Sequence, residues 1–306
     1  MSYRIAVPGA AGHTGRFVIA ELEHHGVTPV ACDRTTDLDT ALRDADAVIN
    51  CAGPFAATAD PTITAAVRAG IPYLDVTAEL EVVTSTFDRY AGAPVPIVPA
   101  AGFFGGLGDL LATAVAFQGT ERLTIAYALS GWRPTPGTRA TGRASSQRRG
   151  GLRPVHTGGK LQFRDGAQPR TDFAFSIGIR PVVAEFTMAD SATIPTHLDI
   201  PDIDTYMTTN AVDDLHAADP SGPAAVDAHG RSAQTFHIEV VAIGGGEQRR
   251  ITYAGRDIYA ITAPLVVGAA LRILAGDGAT KGPASLGARF TLDALLGPGG
   301  REQGHG

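Results

Sequence analysis

The chain has 306 residues, a length that suits two domains sharing a core. It is 44% hydrophobic and 18% charged, which excludes a disordered chain. A formal net charge of -6 argues against a nucleic-acid partner, because phosphate contacts need clustered positive charge.

In chain order, YRIAVPG reads as a short buried parallel strand ending in glycine. Residues 14–25 follow as an amphipathic helix, with Phe17, Val18, Ile19 and Leu22 at helical spacing and Gly26 as a left-handed cap. Strands are expected in VTPVAC, AVINCAG, IPYLDVTA and VPIVPA. Helices are expected in TTDLDTALRDAD, from Asp60-Pro61 to Gly70, in ELEVVTSTFDRYAG and in LGDLLATAVAFQ. This alternation predicts a Rossmann-like, doubly wound parallel sheet with helices on both faces.

The junction of the first strand and helix carries Gly9, Gly12 and Gly15 in the pattern G-x-x-G-x-x-G. At that place a glycine turn lets backbone N–H groups approach a pyrophosphate, which the helix N-terminus also attracts. Tight packing of helix on sheet would require glycine there equally well. At the end of the second strand, Asp33 suits a ribose diol and Arg34 a 2′-phosphate, so NAD and NADP both remain open. Only about a dozen residues separate Asp33 from the next strand.

Four stretches occur in order: PGAAGHTGR, DAVINCAGPF, AGIPYLDVTAE and VPAAGFFGGLGDLLA, spanning residues 8–112. Together they resemble the saccharopine dehydrogenase-like NAD(P)-binding family, which includes trans-acting enoyl reductases. The later SGWRPTPGTRATG and GRDIYAITAPLVV resemble a bacterial branch of mostly unassigned substrate. The resemblance implies a Rossmann domain followed by an α+β domain, with the active cleft between them, and slightly favours NADP over NAD.

It also implies that Gly9, Ala11, Gly12, His13, Thr14 and Gly15 line the pyrophosphate, with Asp33 and Arg34 beyond them. Cys51, Ala52, Gly53, Pro54 and Phe55 would form the loop beneath the nicotinamide ribose. Asp75, Thr77, Glu79, Phe103 and Phe104 would face substrate. The family usually has an aromatic residue where His13 stands, which leaves the role of the imidazole open, and it usually fits a further strand-helix unit between Asp33 and the next strand, so that by this resemblance the sheet is shortened on the adenine side.

After Gly119 the pattern changes to longer alternating strands: RLTIAYALSGW, TDFAFSIGI, VVAEFTMAD, FHIEVVAIGG and QRRITYAGRDIY. They predict a largely antiparallel sheet, with a hairpin turn at Gly244-Gly245-Gly246. Residues 131–154 read as a loop with six arginines and no acid. Trp132, Arg133 and Arg139 are its candidates for holding an anionic substrate. Tyr206, His197 and Asp75 are candidate proton donors, though each has a plain structural alternative. The domain plan is 1–119 Rossmann-like, 120–260 α+β, 261–296 a helical segment packing back on the first domain, and 297–306 a disordered tail.

No Cys/His spacing suits a metal, and no run is long enough to cross a bilayer. Cys32 and Cys51 read as free thiols in a reducing, cytoplasmic setting, with no export signal at the start. The expectation is a homodimeric NAD(P)-dependent oxidoreductase acting on a C=O, C=N or C=C bond of a small metabolite, in secondary metabolism. Two alternatives stand beside it: a non-redox isomerase or cyclase of the same fold, and a nucleotide-sensing regulator.

Overall fold

The computed structural model describes residues 2–217, 219, 221–297 and 301–305. Its first half alternates strand and helix in chain order. β1 (Arg4–Pro8), α1 (His13–His24), β2 (Thr28–Cys32), α2 (Leu38–Leu42) and β3 (Ala47–Asn50) come first. α3 (Phe55–Ala69), β4 (Tyr73–Asp75), α4 (Leu80–Arg89), β5 (Pro96–Val98) and α5 (Gly106–Val115) complete it. Every pairing in this sheet is parallel, with β1 between β2 and β3. β3 is buried along its whole length, as a strand covered on both faces must be. β2 is an edge strand of this sheet, as the resemblance implies for the short spacing after Asp33.

The second half builds a nine-stranded sheet. Its elements are β6 (Arg122–Leu129), α6 (Pro136–Arg148), β7 (Arg153–Thr157), β8 (Lys160–Arg164), β9 (Arg170–Phe175), β10 (Gly178–Val183) and α7 (Asp190–Thr193). β11 (Asp202–Thr208), α8 (Thr209–His216), β12 (Thr235–Gly244), β13 (Glu247–Arg256) and α9 (Thr262–Leu274) follow. The sheet is mostly antiparallel, with β6 and β11 as a parallel pair. Gly245 and Gly246, both at positive φ (+56° and +83°), close the β12–β13 hairpin, the geometry a two-residue turn demands.

The two sheets share one core. Ile5 and Val7 of the parallel sheet, Leu107 and Leu111 of α5, and Ile125, Tyr127 and Val240 of the second sheet belong to one buried cluster. α9 returns to pack on α1, and β14 (Gly282–Pro283) pairs with β5, so the chain after residue 261 re-enters the first sheet. α10 (Leu286–Arg289) and α11 (Leu292–Leu296) then lie against α5.

The structure departs from the sequence reading in several places, among them VVAEFTMAD, of which only Val182 and Val183 lie in a strand and Asp190 opens α7. The arginine-rich segment is a helix, α6, rather than a loop; Thr135 caps it by accepting the N–H of Thr138 at 3.1 Å, and Pro136 is its first residue. α3 starts at Phe55, not at Asp60-Pro61, so Pro61 lies inside it. The cap that starts it early is remote: the Glu79 carboxylate accepts the N–H groups of Phe55 (2.7 Å) and Ala56 (3.1 Å). In the region read as a disordered tail, Arg301–His305 forms β15, which pairs with β13 and satisfies an otherwise open sheet edge. Residues 298–300 and 306 of that region lie outside the described residues.

Candidate functional site: a cleft between the two sheets

A cleft of about 1690 Å³ runs from the C-terminal ends of β1, β2 and β3 to the underside of α6 and the second sheet. Its first wall is the glycine turn. Gly9 has φ +80°, and a Cβ there would stand 2.7 Å from Ala52 N and Cys51 C, so no side chain fits between the two loops. A Cβ on Gly15 would lie 2.1 Å from Gly9 O, which makes Gly15 the point of contact between α1 and the turn rather than a lining residue. Gly12 is the N-cap of α1 and offers no side chain to cover the first turn; that turn carries no acid. Ala11, Gly12, His13 and Thr14 therefore present an open helix N-terminus to the cleft.

The loop after β3 forms the floor. Asn50, fully buried, fixes it: Oδ1 accepts the N–H of Ala52 at 3.0 Å, and Nδ2 donates to Thr58 Oγ1 at 3.3 Å and Tyr73 Oη at 3.4 Å. Cys51, Ala52, Gly53 and Phe55 line the cleft, and Pro54 is the N-cap of α3. Burial pushes the Cys51 thiol up to about 12, so it is a neutral wall residue and not a nucleophile. Asp33 and Arg34 line the end of the cleft beyond β2 together with Thr36, Leu38 and Pro61.

At the other end the cleft is aromatic and hydroxylic. Phe103 and Phe104 line it, with Trp132 6.0 Å from Phe104 between ring centroids. Tyr259 anchors this wall. Its oxygen accepts N–H groups from Trp132 Nε1 (3.3 Å) and Thr135 (3.1 Å), and its hydroxyl lies 2.9 Å from Thr138 Oγ1. Tyr259, Thr135 and Thr138 all reach the cleft. His13 stands edge-on to Tyr259 at 5.0 Å and to Phe17 at 5.4 Å. Burial lowers its pKa, the nearby Asp257 opposing, and its Nε2 is buried without a hydrogen-bond partner.

Charge in the cleft runs opposite to that of the chain. Arg16, Arg34, Arg139, Arg143, Arg149 and Arg153 line it, against two acids, Asp33 and Glu185. Arg139 is held by the carbonyls of Leu215 (2.7 Å), Ala217 (3.0 Å) and Asp219 (2.9 Å). Arg149 pairs with Glu81 at 3.0 Å and Arg153 with Glu185 at 2.9 Å.

Several sequence candidates stand apart from this cleft. Asp75 is fully buried, and its carboxylate accepts the N–H groups of Thr77 (3.0 Å) and Ala100 (2.8 Å) and the hydroxyl of Tyr73 (2.8 Å). Burial raises its pKa to about 6; it ties the end of β4 to the segment after β5. Thr77 accepts the N–H of Glu79 at 3.0 Å, and Glu79 caps α3, so both position backbone and neither lines the cleft. Arg133 points outward to Ser221 Oγ (3.1 Å) and Asp219 (3.5 Å). Tyr206 packs on Phe173, 5.6 Å between centroids, on the face of the second sheet turned away from α5. His197 sits behind α5, 3.0 Å from Thr113 Oγ1 and 3.4 Å from Asp109. Strand alternation and helix packing direct these two side chains away from the cleft, which is built without them. Sequence reasoning missed Arg16, Thr135, Thr138 and Tyr259. For the threonines a signal existed in the Thr135-Pro136 helix start; for Tyr259 only the tertiary contacts reveal it.

The donor set fits a dinucleotide: an open helix N-terminus, a turn in which a Cβ would fill the approach, and unneutralised guanidinium groups. Among the described residues no group of side chains could hold a metal ion, and no helix is long and apolar enough to cross a membrane.

The sequence matches no protein-family model and no curated protein. The fold does have solved relatives. It is similar to an apo saccharopine dehydrogenase (L-Glu forming) from Saccharomyces cerevisiae, with a TM-score of 0.61 at 11% identity, covering 99% of this chain and all of that one. It is also similar to C. glutamicum DAP dehydrogenase in complex with DAP, with a TM-score of 0.50 at 12% identity over 97% and 99% of the two chains. An engineered D-amino acid dehydrogenase bound to NADP+ has a TM-score of 0.50 at 13% identity over 98% and 100%. The two-sheet α/β architecture is thus that of these dehydrogenases along essentially the whole chain.

Proposed function

We propose that the protein is an NAD(P)-dependent oxidoreductase that reduces a C=O, C=N or C=C bond of a small metabolite. The observation that carries this reading is the cleft: an uncapped helix N-terminus and glycine turn at one end, and an aromatic, hydroxyl-bearing wall at the other. Solved chains of this fold that bear dehydrogenase names support it. Bound there, the nicotinamide dinucleotide supplies the hydride.

The chain's own residues then bind, orient and protonate. The N–H groups at the start of α1 take the pyrophosphate. Cys51, Ala52 and Gly53 form the floor, and Phe104 and Trp132 exclude water from the far wall. The proton source we favour is Tyr259 with Thr138. Tyr259 already accepts two N–H bonds, so its own proton is directed to Thr138, whose hydroxyl faces the cleft. This assignment replaces Tyr206, His197 and Asp75, none of which lines the cleft. Two free cysteines suit a reducing compartment.

Titration with NADPH and NADH, read by nicotinamide fluorescence, tests the reading. Saturable binding is expected. It should weaken by about tenfold or more in Gly12→Asp, which sets a carboxylate at the helix N-terminus where phosphate would lie. Absence of binding by both nucleotides would sink the proposal. With a carbonyl, imine or enoyl substrate that oxidises the bound nucleotide, Tyr259→Phe should lower kcat by about 100-fold with little change in KM.

A further inference from the structure

We propose that α6 is a flap over the cleft, anchored at its N-terminal end by Tyr259 and latched at its C-terminal end by Glu81, and that release of this latch opens the cleft. The inference concerns how the cleft opens and holds for any ligand that fills it.

α6 lines the cleft along its length, from Pro136 to Ser146, with Arg149 just beyond its end. Apart from the Pro136 ring, its sequence PGTRATGRASSQR contains no apolar side chain larger than alanine, and Ser145 is its single buried residue. A helix without an apolar face is held in place by its polar contacts, and such elements open at low free energy.

Those contacts differ at the two ends. At the N-terminal end Tyr259 binds Thr135 and Thr138, and Arg139 reaches the carbonyls of Leu215, Ala217 and Asp219. Tyr259 itself stands on a firm support. The carboxylate of Asp257, fully buried, accepts the N–H groups of Ser232 (2.6 Å), Tyr259 (3.0 Å) and Ala260 (3.1 Å). At the C-terminal end α6 is tied to the helices of the first sheet. Glu81, in the first turn of α4, accepts from Ser145 Oγ at 3.2 Å and from Arg149 Nη1 at 3.0 Å. Arg148 Nη2 donates to Ala56 O at 3.4 Å. Gly150 and Gly151 follow at once, both at positive φ (+58° and +81°), and a Cβ on either would meet nothing within 4 Å. The chain leaving the latch is therefore uncrowded and free to pivot.

Between its ends the helix rests on the floor of the cleft. A Cβ on Gly53 would stand 3.1 Å from Thr141 Oγ1. A flat ring needs about 3.5 Å of contact distance on each face, about 7 Å in all. No ring enters between Gly53 and Thr141 while the latch is closed. Lifting the C-terminal half of α6 opens that gap and leaves the Tyr259–Thr138 contact in place.

Cys51, two residues before Gly53 on the same loop, reports the opening. Its thiol is neutral while buried and reacts as the thiolate, so it is labelled through the open form. Alkylation of Cys51 by N-ethylmaleimide in the full chain without ligand, followed by peptide mass mapping, tests the proposal. Glu81→Ala and Arg149→Ala should each accelerate labelling by about threefold or more. The double variant should be no faster than either, because the two side chains form one latch. Rising salt should bring the parent toward the rate of the variants and leave the double variant unchanged. Denaturant unfolding of each variant serves as the folding control. Rates equal to the parent's in both single variants overturn the flap, and additive acceleration in the double variant overturns the latch. Acceleration matched by an equal loss of global stability also overturns the flap, since it assigns the labelling to unfolding of the whole chain. No nucleotide enters the experiment, so its outcome is separate from that of the dinucleotide reading.

Discussion

At the scale of single residues, the same kind of side chain does different work depending on what surrounds it. Asp33, Asp75 and Asp109 are all aspartates within or beside the parallel sheet. The first is exposed and hydrogen-bonded, and its pKa falls; the other two are fully buried, and burial raises them to about 6 and about 7. Asp109 accepts the N–H of Gly287 at 2.6 Å; its other oxygen makes no hydrogen bond and lies 3.4 Å from His197 Nε2, an imidazole whose own pKa burial lowers. Its pKa in the unfolded chain is near 4, so between about pH 4 and 7 the folded protein keeps a proton that the unfolded chain releases. Asp109 therefore costs stability increasingly as pH rises through that window. Asp109→Asn should gain melting temperature relative to the parent between pH 5 and pH 8. A difference that stays constant with pH would show that Asp109 does not titrate in this range. The sequence marks none of this, because burial is not a property of the residue type.

At the scale of elements, caps and close contacts decide boundaries. The Asp60-Pro61 pair has the local form of a helix start, yet α3 begins at Phe55 because Glu79, after β4, supplies the cap. Thr135-Pro136 has the same form and does start α6, through its own side chain. Local signals succeed where the cap comes from the segment itself and fail where it comes from a distant segment. α5 gives the sharper case. It is buried on nearly all sides, packed against β12 and β13 of the second sheet, and Gly108 marks where it meets β6 and α7. A Cβ at Gly108 would meet Asp190 Oδ1 at 2.0 Å and Tyr127 Oη at 2.7 Å, inside the Tyr127–Asp190 hydrogen bond of 2.8 Å. Gly108→Ala should therefore destabilise the protein by about 1–3 kcal/mol, measured by denaturant unfolding, despite the higher helix propensity of alanine. A gain in stability would show that α5 is not in rigid contact with β6 and α7 there.

At the scale of the whole molecule, the cleft belongs to neither sheet alone. Its floor comes from the ends of β1 to β3, and its far wall from α6 and the segment leading into α9. A ligand that fills it contacts both halves and should stabilise them together. At a hundredfold excess over Kd, NADPH should add about 2.7 kcal/mol to unfolding, which shifts the melting temperature by several degrees. Trp132 is the single tryptophan of the chain and is buried in the cleft wall, so its emission should change over the same titration. No thermal shift at saturating nucleotide would argue that the cleft does not take a dinucleotide.

The sequence by itself determined the parallel alternation, the glycine turn at its first junction and the change to a second, largely antiparallel sheet. Each follows from periodicity, turn chemistry or spacing, which act within a dozen neighbouring residues. Only the tertiary structure decided that Tyr206 and His197 face away from the cleft while Tyr259, Thr138 and Arg16 enter it. It alone showed that Glu79 caps a helix and that an anionic chain has a cationic cleft. Those outcomes depend on which faces are buried against which, and that is set by contacts between segments tens to hundreds of residues apart.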